Sequence, residues 1–422
     1  MTAETTASTR LGRVSAAMSR NRQDLIALGA ILLVALGLRV AYLAFGTGSR
    51  PLESDANQYY EIARNLALGH GFSMHYPGLF VHETAFRPPG YPALLGLFFF
   101  VFGPSAGLAR GLNVVLGLVV ISLAYVLLRR YVGFLAAVVA AAALAITPNL
   151  IANDTYALDE PLSLCLILCV TWALLARRWW LAGLSCGLLV LTRPSAQALI
   201  VVLAIWILIT ADWRALARVV LVALIVVSPW IVRNWIQVGV PVVVTSNGFN
   251  WAAIYSPAAQ RAGGFIDPTL NPAYNGDRLL QFDESAWSSF LQSQGTHALE
   301  ANPGYVLHVL KENFLALSDL QPGLNDPPDA IDGRDLTVVH DTRWLFYAEL
   351  LAGLAGLATS LRRPLTQLLS IQAAYFVAIS MLFIAVPRLR APLDLALGMG
   401  IGLGADALRR WRSGADLTGA EA

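Results

Sequence analysis

The run RPPGYPALLGLFFFVFG, Arg87 to Gly103, decides how the rest of the chain is threaded. From Tyr91 to Gly103 it is almost wholly apolar. As a helix it spans only about 20 Å, against roughly 30 Å for a hydrocarbon core. The arginines arbitrate. If this segment stays on one side, Arg129 and Arg130, Arg177 and Arg178, Arg214 and Arg218, Arg362 and Arg363, and Arg409, Arg410 and Arg412 all share the side of the basic N-terminal tail, with its Arg10, Arg13, Arg20 and Arg22. That is the pattern the positive-inside rule requires. If the segment crosses, most of those pairs move outside. Tyr91 to Gly103 therefore reads as an interfacial or re-entrant helix on the outer face, with both termini cytoplasmic.

Outward from that segment, the chain is written for lipid. Of 422 residues, 56% are hydrophobic and 13% charged, and the mean hydropathy is +0.59. The long apolar runs recur too regularly for a soluble core. Spans are expected at 25–45, 106–128, 132–148, 159–176, 179–191, 195–211, 215–235, 343–361, 365–386 and 391–408. The fold class is thus an all-α polytopic membrane protein with about ten transmembrane helices. The 29 basic and 27 acidic residues leave a net charge of +2, so total charge indicates no nucleic-acid partner. Cys165, Cys169 and Cys186 all fall in apolar runs and read as free thiols.

Five segments follow: a disordered cytoplasmic tail (1–24), a membrane module (25–236) with its outer loop at 50–92, an outer loop or cap (237–342), the last helices (343–408) and a cytoplasmic tail (409–422). The cap is expected to be small and α(+β). It opens with a β-prone piece at Val240 to Thr245 and a turn at Ser246 to Gly248. Two amphipathic helices follow, Phe282 to Leu299 and Asn302 to Leu317. Arg39, in the last third of the first span, is either an interfacial anchor or part of a site.

The polar residues gather on the outer face. Glu53, Ser54 and Asp55 open a short helix that continues through Gln58, Tyr59, Glu61 and Arg64. On local grounds Asp55 is either its cap or a functional carboxylate. In FRPPGYP, two prolines force an extended backbone and hold Arg87 where the chain re-enters the interface. A guanidinium fixed there suits phosphate recognition, and equally a lipid headgroup. His82 and Glu83 lie nearby; as a lone pair they give no reason to expect a metal. Glu160, entering a span beside Asp159, is a second candidate carboxylate, because charge there is costly unless it faces protein or a cavity. Arg193, Arg233 with Asn234, Arg388 and Arg390 end other spans on the same side. Each alone can be a snorkelling anchor. Together, arginines and carboxylates on one face suggest a site for an anionic lipid headgroup.

These features resemble the GT-C superfamily of polyprenyl-phosphate-sugar-dependent membrane glycosyltransferases, in particular its bacterial protein O-mannosyltransferase-like and aminoarabinose-transferase-like branch. The stretches that carry the resemblance are SDANQYYEIARNLALGHGFS from Ser54, RPPGYPALLGLFFFVFG from Arg87, ALDEPL from Ala157, PWIVRNWIQVGVPVVVTSNGFNWA from Pro229, and PRLRAP from Pro387. The resemblance implies transfer of a sugar from a polyprenyl-phosphate donor to an extracytoplasmic lipid, polysaccharide or protein acceptor at a bacterial plasma membrane. It implies Asp55 as general base, with Glu160 as the acidic residue of the second outer loop. Arg87, Arg193, Arg388 and Arg390 would then hold the donor phosphate, with Glu53, Tyr59, His82, Glu83 and Asn234 supporting them or the acceptor. Glu53 and Asp55 are separated by Ser54, where many relatives carry adjacent acids, and no cofactor is expected. The rival readings are a transporter or flippase of a lipid-linked saccharide, and a non-catalytic subunit of an envelope-polymer assembly. A transporter usually carries polar residues near the bilayer midplane, whereas here they collect at one face.

Overall fold

The computed structural model describes residues 3–48, 50–75, 81–275, 283–321 and 323–414, with side chains from Arg22 onward. The described chain is almost wholly helical. In its first half come α1 (Ala3–Tyr42), α2 (Ser54–Ala67), α3 (Gly90–Phe102), α4 (Ala106–Tyr131), α5 (Phe134–Ile146), α6 (Pro148–Asp154), α7 (Glu160–Leu175), α8 (Trp179–Thr192), α9 (Leu199–Thr210) and α10 (Trp213–Val238). The 237–342 segment follows with α11 (Ser246–Tyr255), α12 (Pro257–Ala262), α13 (Pro272–Asn275), α14 (Glu284–Ala301), α15 (Tyr305–Ser318) and α16 (Asp326–Ile331). The chain closes with α17 (Leu336–Ala358), α18 (Pro364–Leu382) and α19 (Ala391–Arg412). Helix α1 begins at Ala3, so the segment expected to be an irregular tail is drawn as helix.

Among the described residues, five helices are long and apolar enough to cross a membrane: Arg22–Thr47, Ala106–Tyr131, Trp213–Val238, Pro364–Leu382 and Pro387–Arg412; α5 and α6 count as a sixth if the bent pair is one span. That is fewer than the expected ten. The expected spans at 159–176, 179–191 and 195–211 fall on shorter apolar helices, as does α3. The expected span at 343–361 falls mostly on α17, which ends at Ala358 and whose sequence includes Asp341, Arg343 and Glu349.

Helix ends follow local chemistry. The Ser105 Oγ accepts from the Leu108 N–H at 3.0 Å, and Asp212, Asp283 and Asp335 cap α10, α14 and α17 in the same way. These caps satisfy donors that a helix start leaves free. Pro148 starts α6 and cannot continue the α5 ladder, and the axis bends there by 66°. Helices α17 and α19 come together backbone to backbone. A Cβ on Gly356 would stand 1.9 Å from the Gly400 carbonyl oxygen, so small residues permit the approach, as in other membrane helix pairs.

The expected strand at Val240 to Thr245 does not form, and the expected turn at Ser246 to Gly248 is the start of α11. The polar groups of the 240–245 stretch are taken up elsewhere. Asn234 donates to the Val242 carbonyl at 2.8 Å, Trp230 to that of Val243 at 2.7 Å, and the Thr245 N–H donates to the Ala85 carbonyl at 3.0 Å. The described β structure is instead a two-strand antiparallel ladder in the first outer loop, β1 (Ser73–Met74) with β2 (His82–Glu83). Glu284, at the start of α14, accepts from Thr84 Oγ1, the Ala85 N–H and Thr245 Oγ1 at 2.7, 2.8 and 2.5 Å. The first outer loop and the 237–342 segment are therefore interlocked at the point where the chain runs into Arg87.

Candidate functional site

Three segments distant in sequence converge on Asp55. It lies in the first turn of α2, immediately after Ser54, whose φ of 46° is in the left-handed region. For a residue other than glycine that conformation costs about 1–2 kcal/mol. The Asp55 carboxylate is gripped by two guanidiniums, its Oδ1 by Arg87 and its Oδ2 by Arg388. Arg87 is held in turn by the Gln58 amide oxygen, 2.6 Å from its Nε, and its guanidinium lies over the Phe86 and Tyr59 rings at 5.2 and 5.5 Å. The run expected to be extended instead bends at Phe86 and Arg87, with Pro89 in the right-handed helical region as the cap of α3, and from that bend the Arg87 side chain reaches Gln58 and Asp55 of α2.

Arg388 is the hub. It sits on the 3-10 turn Pro387–Arg390 and is shared between Asp55, Asp332 at 3.1 Å and Glu160 at 3.9 Å. Glu160 begins α7 and is 3.5 Å from Arg193, which is 3.7 Å from Asp159. The Tyr59 hydroxyl donates to Asp159 Oδ1 at 3.3 Å and stacks edge-on against Tyr91. In these ion pairs four carboxylates face three guanidiniums, so the cluster carries one negative charge in excess. Three polar atoms are buried without a hydrogen-bond partner: Glu160 Oε2, Arg193 Nε and Arg388 Nε. Buried polar atoms left without a partner are costly.

Burial alone raises the pKa of Asp55, but the adjacent charges of Arg87 and Arg388 outweigh it and hold the carboxyl well below its usual range. Asp332 goes the other way. Burial dominates, and despite Arg388 and Arg334 its pKa is raised to about 6. Burial, then the Asp159 charge, pushes the Tyr59 phenol well above its usual value. Among the described residues, no three His, Cys, Asp or Glu side chains group to hold a metal ion.

The structure thus brings together Asp55, Glu160, Arg87, Arg193, Arg388 and Tyr59. It places the other candidates elsewhere. Arg390 turns to the opposite side of its 3-10 turn, pairing with Asp394 at 3.1 Å, donating to the Leu317 carbonyl and lying 3.5 Å over the Phe346 ring. In a turn of about three residues, positions two apart face different ways. His82 contacts Glu284 at 3.2 Å, Glu83 pairs with Arg233, and Asn234 is fully buried on backbone carbonyls. These contacts brace the outer loops. Glu53 is exposed, and its N–H donates to Tyr156 Oη at 2.9 Å.

Asp332 escaped the sequence reading. It lies in the acid-rich run NDPPDAIDGRD, where any one aspartate resembles a loop residue. The available signal was the Asp-Gly pair. Gly333 has φ 70°, and a Cβ there would stand 2.4 Å from the Tyr156 ring, so only glycine lets this turn press against the site.

The family model described as dolichyl-phosphate-mannose-protein mannosyltransferase matches residues 86–233. No curated protein matches the chain. The fold is similar to the archaeal oligosaccharyltransferase AglB from Archaeoglobus fulgidus in complex with an inhibitory peptide and a dolichol-phosphate, with a TM-score of 0.53 and 15% identity over 96% of this chain and 53% of that one. The apo form of the Archaeoglobus fulgidus oligosaccharyltransferase matches with a TM-score of 0.53 at 15% identity, over 92% and 51%. The chain therefore spans about half the length of these structures. ArnT from Cupriavidus metallidurans, bound to undecaprenyl phosphate, matches with a TM-score of 0.41 at 17% identity, over 92% and 79%.

Proposed function

We propose that the chain is a membrane glycosyltransferase of the GT-C superfamily, a reading supported by the family model over residues 86–233 and by the shared fold, and that it moves a sugar from a polyprenyl-phosphate donor to an acceptor hydroxyl on the extracytoplasmic face. The observation that carries this reading is the shared grip of Arg87 and Arg388 on Asp55. Two guanidiniums on one carboxylate form a phosphate-shaped set of donors, occupied by an internal anion.

In this reading the donor phosphate takes Arg87 and Arg388 from Asp55. The carboxylate then loses the charges that depress its pKa and becomes able to accept a proton. The acceptor oxygen attacks the anomeric carbon and the bond from that carbon to the phosphate oxygen breaks. The acceptor proton passes to Asp55, and the electron pair leaves with the polyprenyl phosphate, whose charge the arginines stabilise. Glu160 and Asp159 orient Arg193 and Arg388, and Tyr59 lines the sugar side. The topology that fits this chemistry has ten crossings and cytoplasmic termini, with α3 lying in the outer interface and the 237–342 segment forming a cap over the site.

The test is transfer of label from a panel of polyprenyl-phosphate sugars, comparing wild type with Asp55→Asn, alongside polyprenyl-phosphate binding. The expected result is loss of transfer with binding retained. Full transfer by Asp55→Asn removes Asp55 from the chemistry, and no transfer by wild type from any donor overturns the reading.

A further inference from the structure

One buried ion pair among the apolar helices takes no direct part in the Asp55 cluster. Arg39 of α1 is 1% exposed; its Nε and Nη2 lie 2.8 and 2.7 Å from Asp154 Oδ2, at the end of α6. Its Nη1 donates to the carbonyls of Ala35 and Ala145 at 3.1 Å each, the latter at the end of α5 where terminal carbonyls lack helical donors. A buried ion pair is weak evidence for stability, because desolvation offsets its attraction and apolar replacements are often neutral. What the pair fixes is α6.

Two asparagines of α6 tie it to the turn that carries Arg388 and to the segment that carries Asp332, while Asn149 also donates to Asp394 of α19. Asn149 and Asn153, one helical turn apart, donate to the carbonyls of Pro387 and Arg388 at 2.8 and 3.2 Å. Asn153 Oδ1 also accepts from Arg334 at 2.5 Å, two residues beyond Asp332. The turn that carries Arg388 and the segment that carries Asp332 are therefore both pinned to one short helix, and α1 holds that helix at its far end. Gly117 of α4 closes the last side: a Cβ there would stand 2.0 Å from Asp154 Oδ2.

We propose that Arg39 and Asp154 are positioning residues, which set the placement of the Arg388 guanidinium through α6 and so the affinity of the site for a polyprenyl phosphate. The inference rests on reading the Asp55 cluster as the donor-phosphate site. Displacement of a positioning group by about 1 Å can cost up to two orders of magnitude at the reacting centre.

The test uses the full-length protein in lipid nanodiscs, with a sugar-free polyprenyl monophosphate as the probe and thermal midpoint as a folding control. The double variant Arg39→Met with Asp154→Leu removes both charges together. It is expected to fold with a midpoint near wild type, to bind the probe at least about tenfold more weakly, and to raise donor KM more than it lowers kcat. Arg39→Lys keeps an Asp154 partner and is expected to recover part of the loss. Gly117→Ala, which keeps both charges and displaces the Asp154 carboxylate, is expected to weaken binding in the same direction and decides the matter if the double variant does not fold. Folded variants that bind like wild type overturn the inference alone. A wild-type protein that binds no polyprenyl phosphate overturns the donor-site reading, and this inference with it.

Discussion

Arg388 and Arg390 are two residues apart on one turn and identical in type, the first half-buried and the second buried, yet the structure assigns them to different neighbourhoods. Replacing each with lysine separates them. Arg388 uses Nη2 on Asp55 and Nη1 on Asp332, with Nε 3.9 Å from Glu160. A lysine ammonium keeps the charge but cannot span both aspartates, so at least one charge-assisted hydrogen bond is lost. Such a bond contributes about 1.5–3 kcal/mol. If that contribution is expressed in the transition state, kcat/KM falls by roughly 10- to 150-fold. Arg390→Lys retains a cation beside Asp394 but loses the planar contact with Phe346. It is expected to lower the thermal midpoint while leaving kcat/KM of the folded protein within about twofold, since its contacts are structural. The assay is initial-rate transfer from a polyprenyl-phosphate sugar by both variants in matched nanodiscs. Arg388→Lys transferring like wild type, or Arg390→Lys losing as much, would refute the assignment of the two side chains.

Other consequences are independent of that contrast. The Asp332 pKa is raised to about 6 from an ordinary 3.8, so the folded state binds its proton more tightly than the unfolded one. Its contribution is full below about pH 4 and is lost as pH rises through about 6, a change of ~3 kcal/mol. Asp332→Asn should therefore flatten the thermal midpoint between pH 4 and pH 7; an unchanged pH dependence sinks the idea. Donor affinity of the wild type should also fall as pH rises above about 6, because an anion binds better when Asp332 is neutral. Gly333→Ala forces a methyl group against Tyr156 at φ 70° and should cost about 2 kcal/mol or more of stability, read as a lowered midpoint. Glu284→Ala leaves the Ala85 N–H and two threonine hydroxyls without their shared acceptor. It should destabilise by about 2–3 kcal/mol and raise donor KM by loosening the segment before Arg87; a wild-type KM in the folded variant would show that Arg87 is held by other contacts.

What the sequence discloses here follows from what is periodic or locally forced. Long apolar runs punctuated by arginine pairs call for apolar helices, and such helices are found in the structure, whereas the double proline after Arg87 leads through a bend directly into α3 and not along an extended stretch. The span count was less legible, because length is an uncertain guide when helices such as α7 and α8 are short and when Pro148 breaks an apolar run in two. Partner choice was illegible for a different reason. Whether a span-end arginine faces a donor site or a helix bundle depends on which side of a turn it occupies, and PRLRAP places Arg388 and Arg390 on different sides with no composition cue to tell them apart. Asn234 shows the same limit: it looks like an outer-face polar residue, yet it serves carbonyls that a failed strand leaves free. Arg39 was legible only as expensive. Its partner Asp154, 115 residues away, lies on the helix whose asparagines hold the Pro387 and Arg388 carbonyls, so a buried charge pair among the apolar helices and the arginine shared by Asp55, Asp332 and Glu160 are linked through one short helix.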